Sequence, residues 1–98
     1  MLHTVNVALQ VLPSSDEKHP YEIIDKAIEV IRTSGVRYKV CPFETVMEGD
    51  YDTLMSIVKT IQEECLEYGA KSMISNIKIQ ISRNEDLHFE DKIRKFDG

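Results

Sequence analysis

Basic residues are in the minority: twelve Lys and Arg stand against seventeen Asp and Glu, giving a formal charge of −5. A sequence-independent grip on phosphates needs clustered cations that release counterions, and the cations here are scattered, so nucleic acid is excluded as the expected partner. Cysteine is scarce. Cys41 and Cys65 form no CxxC and have no histidine at metal-ligand spacing, which leaves neither a zinc site nor a disulfide framework, and no metal is expected. Glycine is scarce as well, and each of the four fits a helix end, a strand exit or the C-terminus, so no glycine-rich phosphate loop exists. No long apolar run occurs. The opening MLHTVNVALQVL alternates and lacks a basic stretch followed by a cleavage site, so neither a targeting signal nor a membrane partner is expected and the cytoplasm is the expected location. His3, His19 and His88 fall on a terminus, a loop and the tail without a nucleophile in triad-like context, and the chain is not expected to be an enzyme.

What is present is ordinary globular material. The 98 residues are 42% hydrophobic and 30% charged, enough for one domain over 1–98 with a buried core. Val5, Val7, Leu9 and Val11 alternate with Asn6, Ala8 and Gln10, as in a strand with one buried face. PSSDEKH is turn chemistry, and Pro20 suits the first turn of a helix carrying Ile24, Ala27, Ile28 and Ile31 and closed by Gly35. Residues 36–41 alternate again, Pro42 ends that strand, and residues 44–48 form its hairpin partner. Asp50 caps a second helix with a stripe of Leu54, Ile57, Val58, Ile61, Cys65 and Tyr68 ending at Gly69. Residues 71–82 form a fourth strand, with Ile77, Ile79 and Ile81 opposite Asn76, Lys78 and Gln80, and the tail carries a last helix through Phe89, Ile93 and Phe96. This order specifies an α+β fold, a ferredoxin-like βαββαβ sandwich with an antiparallel four-stranded sheet, two helices on one face and a C-terminal helix. Strands one and three lie centrally, with strand four beside strand one.

The uncovered sheet face then presents Asn6, Ala8, Gln10, Asn76, Lys78 and Gln80, with Arg37 and Lys39 toward the other edge. It is either a solvated face or an interface and ligand floor, and composition alone favours the former. Thr45 and Glu48 share a short strand. Thr45 is a good strand former, and Glu48 is unremarkable unless buried, where it needs a hydrogen-bonded partner. Ser14 and Ser15 can donate to a ligand, although turn formation already accounts for them.

The run YKVCPFETVMEGDYDTL, with NIKIQISRNEDLHFEDKIRKF, resembles the small thiamine-binding protein family of the YkoF-like superfamily. The family element T-x-x-E-G stands here as Thr45, Glu48 and Gly49, supported by Ile77, Lys78, Ile79 and Arg83. The chain departs from the family pattern at Pro13-Ser14-Ser15, at Phe43-Glu44 and at Gln80. The resemblance implies a homo-oligomer, a dimer or tetramer assembled through the open sheet face, that binds thiamine or its pyrimidine moiety between subunits and uses no other cofactor. It favours the interface over the solvated face and nominates Thr45, Glu48, Phe43, Gln10, Ser14, Ser15, Asn76 and Lys78 as ligand-binding residues. Glu48 would accept hydrogen bonds from an aminopyrimidine or lie near a cationic thiazolium, and Phe43 would stack. The expected function is non-enzymatic carriage, buffering or sensing. The alternative, motivated by the departures, is a regulatory or structural oligomerisation module without a small ligand.

Overall fold

The alternation of Val5, Val7 and Leu9 produces the central strand β1 (Val5–Ser14), which buries all three against the helical layer. In the computed structural model, which describes residues 2–96, β1 is followed by α1 (Pro20–Ser34), β2 (Arg37–Val40), β3 (Thr45–Gly49), α2 (Tyr51–Tyr68), β4 (Ser72–Gln80) and α3 (Phe89–Ile93). A 3₁₀ turn over Arg94–Phe96 follows α3. The antiparallel sheet has the order β2-β3-β1-β4, as the ferredoxin-like reading requires.

Both long helices have local reasons to begin and end where they do. His19 caps α1 by accepting the Tyr21 amide on its ring, while the Glu22 carboxylate accepts the His19 amide, and Pro20 occupies a position where no amide is needed. Gly35 closes α1 with a left-handed φ of 84°, which a side chain resists. Asp50 caps α2 by accepting the Thr53 amide at 3.1 Å. The core lies between sheet and helices, built from Val5, Val7, Leu9 and Met47 against Ile23, Ala27, Ile31, Leu54 and Ile61 among others.

Three expectations need refinement. Ile23, rather than Ile24 or Ile28, joins Ala27 and Ile31 at full burial in α1. Ile77 and Ile79 share the helix-side face with Leu9 and Val7 but remain exposed because β4 is an edge strand. The tail helix is short: Phe89 is buried, but Phe96 is 74% exposed and takes no part in a buried stripe.

Candidate functional site

Strand register decides which polar residues meet. Thr45 pairs with Leu9 and Met47 with Val7, so Thr45 points with them toward the helices, whereas Glu48 pairs with Asn6 on the open face. Residues three apart in a strand lie on opposite faces, and the T-x-x-E spacing therefore supplies two separate places.

The first is a cleft of about 100 Å³ on the helix side. β3 begins opposite Leu9, so the later part of β1 lacks a neighbour on that edge, and the turn between β2 and β3 closes the gap with the Cys41 amide donating to the Glu44 carbonyl at 2.9 Å. Thr45, Cys41 and the Phe43 lip gather here against Ile24 and Ile28, and Gln10 and Glu44 border the cleft with their side chains engaged by Asn76 and Lys78 on the open face. Phe43 is 81% exposed, a large apolar surface for an aromatic side chain.

The second place is the open face, where one cross-strand row reads Arg37, Glu48, Asn6 and Gln80. Each member holds the C-terminal segment. Arg37 pairs with Glu90 and lies over the Phe89 ring at 5.0 Å. Buried Glu48 accepts the Phe89 amide at 2.8 Å and the His88 Nδ1 proton at 2.9 Å. Asn6 donates to the Leu87 carbonyl at 2.9 Å and accepts from Lys92 at 2.7 Å, and Gln80 also accepts from Lys92. The segment is tied at its start too, because the Asp86 carboxylate accepts the Thr4 amide at 2.6 Å. That hydrogen bond lowers the Asp86 pKa, and the hydrogen bond to Glu48 raises that of His88 above its ordinary 6.5, with the charges of Glu48, Asp91 and Asp86 adding to the effect.

The remaining nominated residues are dispersed. Asn76 donates to Gln10 at 3.1 Å, and Lys78 lies 3.3 Å from Glu44. Ser14 ends β1, where its carbonyl accepts the Lys71 amide. The Ser15 hydroxyl donates to the Gly69 carbonyl at 2.7 Å and accepts the Glu17 and Lys18 amides, so it pegs the turn before α1. Thus Thr45 and Phe43 converge, Gln10, Asn76 and Lys78 lie on the open face, and Glu48, Ser14 and Ser15 are engaged elsewhere. Ile24, Ile28, Cys41 and Glu44 were not nominated as site residues. The doubled apolar pairs Ile23-Ile24 and Ala27-Ile28 are the sequence signal for them, since they give α1 an apolar face wider than the core uses.

The model of a family described as thiamine-binding protein matches residues 7–97. The chain belongs to the thiamine-binding protein family. A UPF0045 protein of Clostridium perfringens is 43% identical over 95 residues, spanning 97% of this chain and 99% of its own. Among solved structures, a domain of unknown function, DUF77, from Bacillus cereus is 38% identical with a TM-score of 0.93, covering 98% of this chain and 92% of that one. A candidate thiamine biosynthesis/salvage protein from Thermotoga maritima is 29% identical with a TM-score of 0.86, covering 95% and 98% of the two chains. The Thr45 cleft is a small apolar slot with a hydroxyl-bearing residue on its lining and an aromatic residue at its mouth.

Proposed function

We propose that the protein binds thiamine or its hydroxymethylpyrimidine portion without transforming it, as a carrier, buffer or sensor. The observation that carries this reading is the convergence of Thr45 and Phe43 on one cleft in a chain of the thiamine-binding family. About 100 Å³ equals roughly three water volumes, room for part of one six-membered ring and not for both rings of thiamine. The pyrimidine therefore enters beside Thr45 while the cationic thiazolium stays at the mouth, over Phe43. Self-association into a dimer or tetramer uses the unoccupied end of the open face, where Leu12 and Ile74 are 46% and 62% exposed. Among the described residues no helix is long and apolar enough to cross a membrane, in keeping with work in the cytoplasm.

Calorimetric titration with thiamine and hydroxymethylpyrimidine tests the reading, together with alkylation of Cys41, which lines the cleft. Ligand is expected to slow Cys41 modification and to raise the unfolding midpoint, as binding to the native state must. Heat without Cys41 protection would move the site elsewhere, and absence of both at millimolar ligand would end the proposal.

A further inference from the structure

A larger cavity, about 310 Å³, lies on the other side of the sheet, between the open face and the inner side of the C-terminal segment. That volume reaches the lower end of the range for small-molecule sites, roughly 300–1,000 Å³. Its floor is apolar and shallow because Ala8 stands beside Val46 and leaves room a larger residue would fill. Phe89 and Ile93 line it as well, and the row that holds the segment positions them.

The charges around it oppose those of the whole chain. Lys78 and Lys92 line the cavity with one carboxylate, Glu44, a local sum of +1 against a chain total of −5. Lys92 is aimed by the Asn6 and Gln80 amide oxygens, both uncharged, so they orient its charge without neutralising it. The Lys78–Glu44 pair spans 3.3 Å with Lys78 well exposed, and an exposed pair of this kind is weak enough for Lys78 to turn to another anion. A cationic ligand suited to the Phe43 cleft would be repelled here.

We propose that this cavity is a second binding site, for a small organic anion with a flat apolar body and a carboxylate or phosphate monoester head. The apolar body lies on Ala8 and Val46 against Phe89, and the head meets Lys92 and Lys78. The site opens on the other sheet face from the thiamine-related cleft, and Glu44 borders both.

The full chain, labelled with ¹⁵N, is titrated with benzoate and with phenyl phosphate, using benzyl alcohol and benzylamine as uncharged and cationic controls. Saturable shifts of the Ala8, Val46 and Lys78 amides are expected with one or both anions, and the tighter of the two identifies the head group. Ala8→Leu, which fills the floor, and Lys78→Met, which removes one cation, are each expected to weaken the response about tenfold, with both variants folded as judged by their remaining amide spectra. Thr45→Val is expected to leave it unchanged. The proposal is overturned if neither anion shifts these amides, if benzyl alcohol shifts them as strongly, or if Ala8→Leu and Lys78→Met respond like the parent. Because thiamine binding is read at Cys41 on the other face, failure here leaves that reading standing.

Discussion

Thr45 and Glu48 differ in what their surroundings ask of them. Thr45 lies against an apolar slot, and its hydroxyl is the ligand contact of the proposed function. Thr45→Val keeps the shape and removes one hydrogen bond, so hydroxymethylpyrimidine affinity is expected to fall severalfold, equivalent to about 1 kcal/mol, with the unfolding midpoint nearly unchanged. Phe43→Ala is expected to weaken thiamine by roughly fivefold and hydroxymethylpyrimidine much less, because only thiamine brings a cation to the aromatic face. Calorimetry on the two ligands separates these effects, and equal losses for both would remove the thiazolium from Phe43. Glu48 is buried and tolerated there because two donors meet its carboxylate. Glu48→Gln removes the charge that holds the His88 proton, so the His88 midpoint in an NMR titration is expected to fall back toward 6.5. The two thiols contrast in the same way. Burial, aided by the neighbouring Glu64 charge, pushes the Cys65 thiol up, while Cys41 is partly exposed. Iodoacetamide is expected to label Cys41 in the native protein and Cys65 only after unfolding.

At the scale of elements, the C-terminal segment is a strap whose two titrating ties have opposite signs. Asp86 is depressed from 3.8, so its contribution is whole above that value and is lost as pH falls through its folded value. His88 is raised from 6.5, so its contribution is whole below 6.5 and is lost as pH rises through its folded value. The strap is therefore expected to hold best between pH 3.8 and 6.5. Hydrogen exchange of the Phe89 amide, corrected for its intrinsic pH dependence, is expected to show greatest protection in that window. Protection that rises steadily beyond 6.5 would contradict it. The long elements were legible in sequence because their signals are local: Pro20, Gly35, Asp50 and Gly69 bracket α1 and α2, and alternation marks β1. The strap was not legible for the opposite reason. Arg37, Glu48, Asn6 and Gln80 become one row only when three strand pairings are in register, and α3, with five residues, is too short for periodicity to reveal what it covers. The site was legible in the same measure. Thr45 with Phe43 follows from proximity in the chain, whereas the wall of Ile24 and Ile28 depends on how α1 rolls over β1.

For the molecule as a whole, core and strap are separable. The main hydrophobic cluster draws its buried residues from Val5 to Ala70, and among the described residues the strap adds only Leu87 and Phe89 at comparable burial. Each such side chain stabilises by about 1.5–3 kcal/mol, while ordering each strap residue costs about 1–2 kcal/mol, so the strap is held only as tightly as its polar ties allow. A chain ending at Arg83 is expected to fold, with α1, α2 and the sheet intact and with Glu48 and Asn6 reaching water in place of their lost partners. Its urea transition is expected to remain cooperative, with a smaller denaturant slope because less surface is buried. Loss of cooperativity would show instead that the strap belongs to the folding unit. The same truncation separates the two ligand surfaces. It removes Phe89, Lys92 and Ile93, three of the residues lining the open-face cavity, and leaves every residue lining the Thr45 cleft. The benzoate or phenyl phosphate response should therefore disappear from the shortened chain while protection of Cys41 by thiamine persists. Joint loss of both responses would mean that the strap shapes the helix-side cleft through the sheet, with Glu48 as the residue linking the two faces.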